Sequence, residues 1–168
     1  MRQAEERHLL VVGDGPVSDA LQALAAVLGW ATTVARTTEE VAAALPSSTA
    51  VVVTSHHEDV DAPALALSLT AVGAESGPAY VAAMGSRRTQ ARRREWLLAH
   101  GVPEAALEEL HAPAGLDIGA DTPAEIALSV LAELVATLRG VTGAGSLRDR
   151  PGPIHPGLAP GEAVCPAG

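Results

Sequence analysis

The chain has 168 residues, enough for one domain of ordinary size and too few for two. Its formal net charge of −9 repels polyanions, which argues against general binding of nucleic acid or of anionic membranes. No apolar stretch reaches the roughly 18 residues of a membrane span, the opening residues 1–7 are charged rather than leader-like, and the single cysteine, Cys165, excludes a disulfide framework, so the expected location is the cytoplasm.

The aromatic residues are Trp30, Tyr80 and Trp96 alone, so the core must be built from Ala, Val and Leu. Such a core suits tight α/β packing better than a β-sandwich. Every basic residue is Arg, which we read as compositional bias rather than chemistry.

In chain order, HLLVVG (8–13) reads as a buried strand, and 17–29 as a helix ended by Gly29. ATTVA (31–35) is a second strand. A helix over 37–45 opens on a capping box, Thr37 with Glu40, and Pro46 stops it. TAVVVTS (49–55) is a third, β-branched strand, 62–72 a helix, and AYVAAMG (79–85) a fourth strand. Ser86 caps a helix running to about His100, and 103–110 is a short helix with Pro103 at its first position. A short strand or turn is expected around 116–118. The last helix has Thr122 as N-cap, Pro123 next and Glu125 completing a capping box, and it runs to about Arg139.

This βαβ alternation predicts a Rossmann-like, doubly wound α/β fold, with a mostly parallel sheet flanked by helices, over residues 1–139. In 140–168, twelve of 29 residues are Gly or Pro, so that stretch is expected to be a disordered tail carrying Cys165.

The first strand–helix turn, GDGPVS, has the outline of a dinucleotide fingerprint. Gly13 and Gly15 allow a tight turn and a close approach of backbone to phosphate. Ser18 stands where the third glycine is usual; it is small enough to pack and carries a hydroxyl that can donate to phosphate. The second strand ends on Arg36 instead of the acid that binds ribose hydroxyls, and Arg36 suits a 2′-phosphate or another phosphate. Three readings stay open: a purely structural turn, a phosphate-bearing ligand, or NAD(P).

GSRRTQARRREW is sharper. Five of the eleven arginines fall in 87–94, and Arg87 and Arg88 occupy the first turn of a helix. The positive end of the helix dipole disfavours them there by a few tenths of a kcal/mol each. Their placement makes sense if an anion sits on that turn, held by Gly85, Ser86, free N–H groups and two guanidinium forks. Arg92, Arg93 and Arg94 point several ways round the helix and read as a solvated face paired with Glu95 or other acids. His56, His57, Glu58 and Asp59 end a strand, but adjacent histidines on extended chain point apart and chelate poorly. No metal site and no catalytic nucleophile–base arrangement stands out. Asp117 either fixes its own loop or lines a site, beside His111.

Three linked motifs, Gly–Ser–Arg–Arg (85–88), His–Ala–Pro–x–Gly–Leu–Asp–Ile–Gly (111–119) and Thr–Pro–x–Glu–Ile–Ala (122–127), occur in the order found in the C-terminal Rossmann domain of the XdhC/CoxI family, which the chain resembles over about 8–139. The family comprises accessory proteins of xanthine dehydrogenase, carbon monoxide dehydrogenase and related molybdenum hydroxylases. The resemblance implies a chaperone that binds molybdenum cofactor, a phosphate-bearing pterin, and assists its sulfuration and insertion into the apo-hydroxylase. That agrees with an anion site built from Gly85, Ser86, Arg87 and Arg88; together with the readings of the first turn and of the 111–119 loop, the candidate cofactor-binding residues are Gly13, Gly15, Ser18, Arg36, Gly85, Ser86, Arg87, Arg88 and Asp117, with no catalytic residue. Expected partners are the apo molybdenum hydroxylase, a separate N-terminal-type half of the family's proteins or a cysteine desulfurase, and a second copy in a homodimer. Full-length members carry an N-terminal domain before the Rossmann part, whereas this chain starts almost at the first strand. After the third strand the family commonly has Thr–His–Asp, and here the stretch is TSHHED (54–59). Two rivals remain: a NAD(P)-dependent oxidoreductase, and a partner subunit that keeps the fold without a ligand.

Overall fold

The structure, a computed structural model, describes residues 6–150. Strands β1 (His8–Val12), β2 (Ala31–Ala35), β3 (Ala50–Val53), β4 (Tyr80–Ala83) and β5 (Leu110–His111) form one sheet in the order β2-β1-β3-β4-β5. Every pairing is parallel. Parallel strands need crossovers, and these are α1 (Pro16–Val27), α2 (Thr38–Ala44), α3 (Glu58–Ala71), α4 (Arg87–Ala99) and the short α5 (Glu104–Leu107); α6 (Pro123–Leu138) closes the fold.

The strand runs are apolar throughout because both faces of the sheet are covered. Leu10, Val12, Val51, Val53, Val81 and Ala83 pack under α2, α3 and α4, through Val41, Leu65 and Leu97. Leu9, Val11, Val52, Tyr80 and Ala82 point the other way, onto Leu21 and Ala25 of α1 and Val130, Leu131 and Leu134 of α6. The fold is therefore the α/β doubly wound architecture that the alternation predicts. The strand order switches direction between β1 and β3, which places a crevice at their carboxyl ends, where ligands of such sheets bind.

Caps fall where the residues set them. Thr37 and Thr122 each complete a capping box, with Glu40 and Glu125. Bonds from the backbone N–H groups of Thr122 and Asp121 hold the Glu125 carboxyl below its ordinary value of 4.5. A lowered folded value means that Glu125 stabilises the helix fully above pH 4.5 and loses that contribution as acid protonates it in the folded state. Glu125→Gln is expected to flatten this part of the acid dependence, read as the urea midpoint between pH 6 and pH 3; an unchanged acid slope would refute it.

Three elements differ from expectation. Helix α3 starts at Glu58 rather than 62, because Glu58, Asp59 and Asp61 suit the positive end of its dipole. Pro63 therefore lies inside the helix and removes one helical hydrogen bond. The predicted helix 103–110 closes after Leu107, and the last strand is Leu110–His111, not 116–118. Leu110 and His111 pair with Val81 and Ala82 at the free edge of β4, so sheet pairing, absent from the local pattern, decides their state. Of 140–168, residues 140–150 are exposed and hold one 3₁₀ turn, Leu147–Asp149; the remainder, with Cys165, lies outside the described residues.

Candidate functional site

The carboxyl edge of the sheet carries two glycine turns, one on either side of Ser55 at the top of β3. The first follows β1. The N–H of Gly13 donates to the carbonyl of Ala35 at 2.8 Å, and Gly13 adopts φ 109°. A Cβ there would lie 2.7 Å from the backbone N of Ser55 and 2.8 Å from its Cα, so the turn lies directly on β3. Gly15, at φ 110° and ψ −178°, is the N-cap of α1 and has open space where a Cβ would be. Only glycine is at ease at such a backbone position. Ser18 is buried with Leu21 and Ala25 on the sheet side of α1, which fits the helix–strand packing expected of the third glycine. Its hydroxyl has no partner among the described residues. Arg36 does reach this turn, but its Nε donates to Asp14 Oδ2 at 3.0 Å, and both groups are exposed. A carboxylate thus occupies the middle of the phosphate-type turn.

The second turn follows β4. Gly85, at φ 129°, packs against Thr89 and Arg93: a Cβ would stand 3.2 Å from Thr89 Cγ2 and 3.3 Å from Arg93 Nη1. Ser86 is the N-cap of α4, as its position predicts, and its Oγ accepts from the N–H of Thr89 at 3.2 Å. Arg87 and Arg88 follow in the first turn, exposed, and neither guanidinium pairs with a carboxylate among the described residues. Successive helical residues diverge by about 100°, so the two forks flank the helix end rather than lie parallel. Arg87 lines a groove of about 260 Å³ with Leu110, Ala112 and Pro113, whereas Arg88 stays outside it.

The other arginines separate sharply. Arg92 pairs with Glu58 of α3 at 3.3 Å, and Arg94 with Glu104. Arg93, expected on a solvated face, is buried with 6% of its surface exposed. Its Nη2 donates to Asp61 Oδ2 at 2.7 Å and to the carbonyl of Ser55 at 3.2 Å, while Nη1 donates to the carbonyl of Met84. One guanidinium therefore ties the ends of β3 and β4 to α3. The second oxygen of Asp61, itself buried, has no partner among the described residues. The signal in the sequence was spacing: Arg93 precedes Leu97 by four and shares its inward face. Above this pair, α3 and α4 enclose a cleft of about 610 Å³, with His56 and Trp96 among its walls. His57 is the N-cap residue of α3 and lies outside the cleft walls. No group of three or more metal-ligating side chains occurs among the described residues.

The loop between β5 and α6 crosses the same edge. The N–H of Ala114 donates to the carbonyl of Ala83 at 3.1 Å, which extends the edge beyond β4. Ser129 of α6 donates to the carbonyl of Leu116, and Glu133 accepts from Tyr80 at 2.6 Å and from the N–H of Gly115 at 2.9 Å. Burial, then the carboxylate of Glu133, pushes the Tyr80 phenol far above its ordinary range, so it remains a donor. His111 packs against Tyr80 with ring centroids 4.6 Å apart and the ring planes tilted by 36°. Asp117 is exposed and holds no loop contact through its carboxylate among the described residues.

Residues 9–134 match the XdhC Rossmann domain family. The chain belongs to that family. It is 38% identical over 78 residues to an uncharacterized protein of Escherichia coli, YqeB; the match takes in 46% of this chain and 14% of YqeB. A crystal structure titled a xanthine dehydrogenase from Bacillus halodurans superposes with a TM-score of 0.62 at 24% identity, covering 84% of this chain and 45% of that one. The likeness to that structure establishes the fold, and the chain spans less than half the length of either protein.

In this XdhC domain eight of the nine sequence-predicted residues fall into two places, and Asp117 lies apart on the loop between β5 and α6. Gly13, Gly15, Ser18 and Arg36 gather at the β1–β3 crevice; Gly85, Ser86, Arg87 and Arg88 gather at the end of β4. Ser55 lies between, against Gly13 and bonded to Arg93. The second place has the open cations. It can bind an anion by charge and by the N–H groups of a capped helix end. Sequence reading missed the Arg93–Asp61 pair and the α3–α4 cleft over it. No helix among the described residues is long and apolar enough to cross a membrane.

Proposed function

We propose that this XdhC domain is an accessory factor that binds molybdenum cofactor for maturation of a molybdenum hydroxylase of the xanthine dehydrogenase or carbon monoxide dehydrogenase type. One observation carries the reading: Arg87 and Arg88, exposed and unpaired among the described residues, stand at the capped N-terminus of α4, where their own helix disfavours them. An anion repays that placement. The pterin cofactor carries phosphate, and Gly85, Ser86, Arg87 and Arg88 are the residues that would hold it. Bound, the cofactor supplies the molybdenum chemistry that the recipient hydroxylase uses. This chain's residues bind and release it in the cytoplasm. The partners in this reading are the apo-hydroxylase, a cysteine desulfurase and a second copy of the domain. Asp117, exposed on the crossing loop, is a further contact for the ligand.

A dinucleotide on the first turn is the second reading. The open space over Gly15 at the β1–β3 crevice favours it. The carboxylate of Asp14 in that turn, and Arg36 in place of a ribose-binding acid, count against it.

Equilibrium ultrafiltration with molybdenum cofactor, NADP and NAD separates the two. Retention of the pterin at micromolar protein, lost in Arg87→Ala/Arg88→Ala, is the expected result. Retention of NADP alone would overturn it and move the site to Gly13, Gly15 and Arg36.

A further inference from the structure

The sheet stops at β5, and its free edge lies beside a groove. Val81 is level with Leu110 and Ala82 with His111, and the carbonyl of Ala83 accepts from Ala114 on the same side. Backbone groups alternate in direction along a strand, so Val81, two residues before Ala83, also faces β5, and its level partner Leu110 faces away from β4. The N–H and carbonyl of Leu110 thus point out of the sheet, and they meet no partner among the described residues. Helix α4 overhangs this edge with Arg87, Gln90, Ala91 and Arg94, a stripe spaced by three and four residues. Leu107, Leu110 and Ala112 form an apolar floor that packs on the core under α4. The groove encloses about 260 Å³, under the roughly 300–1,000 Å³ of small-molecule pockets and suited to side chains. The whole chain carries a net charge of −9, yet this wall carries two guanidiniums. Arg94 is held by Glu104 of α5, and Arg87 pairs with no carboxylate among the described residues. Charge also changes sign along the edge: Glu108 and Glu109, both exposed, precede β5, and Arg87 stands beyond the carboxyl end of β4. A strand laid there parallel to the others brings its own terminal carboxylate to Arg87, whereas a reversed strand would bring it to the two acids.

We infer that the groove at the β5 edge receives the C-terminal segment of a partner protein, added as a sixth parallel strand with apolar side chains in the groove and its terminal carboxylate on Arg87. Leu110 exchanges two backbone hydrogen bonds with such a strand. Alternate side chains of the strand then fall on the apolar floor, so the backbone supplies affinity and the groove supplies specificity. The inference goes beyond the anion reading and shares only Arg87 with it.

The probes are an N-acetylated pentapeptide that ends in valine, alanine and leucine with a free carboxylate, and the same peptide closed as its C-terminal amide. Both are titrated calorimetrically into the full chain. The free acid is expected to bind more tightly by about tenfold or more, the effect of one hydrogen bond between charged groups, and Arg87→Ala is expected to erase the difference. Ala91→Trp fills the groove from an exposed position on α4 and is expected to abolish binding of the acid. Saturating acid is expected to slow hydrogen exchange at the Leu110 amide, which has no partner in the free protein. Where Ala91→Trp fails to fold, the comparison of acid with amide and the Leu110 amide decide alone. Equal affinities of the two peptides, binding indifferent to Ala91→Trp, an unprotected Leu110 amide, or no binding at all would each overturn the inference and leave the anion reading untouched. Retention of molybdenum cofactor is expected to persist in Ala91→Trp. Its loss there together with the peptide would make the groove part of the cofactor site and overturn the inference, whereas the anion reading itself fails only on the ultrafiltration of the unaltered chain and of Arg87→Ala/Arg88→Ala.

Discussion

Gly13→Ala is expected to destabilise the domain by about 4 kcal/mol, the sum of a strained backbone and a forced displacement. Gly13 sits at φ 109°, where an L side chain is strained. The added Cβ would lie 2.7 Å from Ser55 N, and backbone atoms cannot rotate away as a side chain can. The strand end would have to part from β3, which also strains the bonds that Thr54 and Ser55 donate to the carbonyl of Val12. For a chain of this size the loss corresponds to a fall in melting temperature of roughly 10 °C. Gly15→Ala is the control. It has a similar φ but open space, so it loses only the backbone part, about 1–3 kcal/mol. Thermal unfolding of the two variants checks the argument, and equal losses would show that the contact with Ser55 contributes nothing.

Arg93→Met is expected to cost about 3–5 kcal/mol, because it leaves the carboxylate of Asp61 buried without its cation. The long apolar side chain keeps the packing, so the loss reports the charge. Adding Asp61→Ala is expected to recover part of it, since the double variant buries no lone charge. Recovery is partial: the carbonyls of Ser55 and Met84 lose their donor in both variants. Urea midpoints for the two single variants and the double variant close a thermodynamic cycle. A coupling of about 1 kcal/mol or more is expected for groups in direct contact, and simple additivity would mean that the pair is not an energetic unit.

These two sites also show how far the sequence was legible. Gly13 stood out because its signal is local, a glycine after an apolar run, opening a helix. Ser86, Thr37 and Thr122 were legible for the same reason: a cap is a bond between residues three apart. Arg93 was hidden among five arginines within eight residues, spread around every direction of one helix. Turning one of them inward depends on which face of α4 meets the sheet. Its partner, Asp61, comes from another helix 32 positions away. Arg36 was recognised as an unusual residue at the end of β2, but its partner in the turn, Asp14, is fixed only by strand adjacency.

By itself the sequence determined the strand–helix alternation, the parallel sheet, the caps and the two glycine turns, because each follows from hydrophobic period or from backbone geometry within a few residues. The motifs of 85–88, 111–119 and 122–127 carried the family. Tertiary structure alone decided the placement of β5 at Leu110–His111, the burial of Arg93 on Asp61, the bond of Glu133 to Tyr80 and Gly115, and the cleft between α3 and α4. Each of these is a contact between segments far apart in the chain. Local pattern is silent on such contacts, because they are set by which strand lies beside which and which helix covers them.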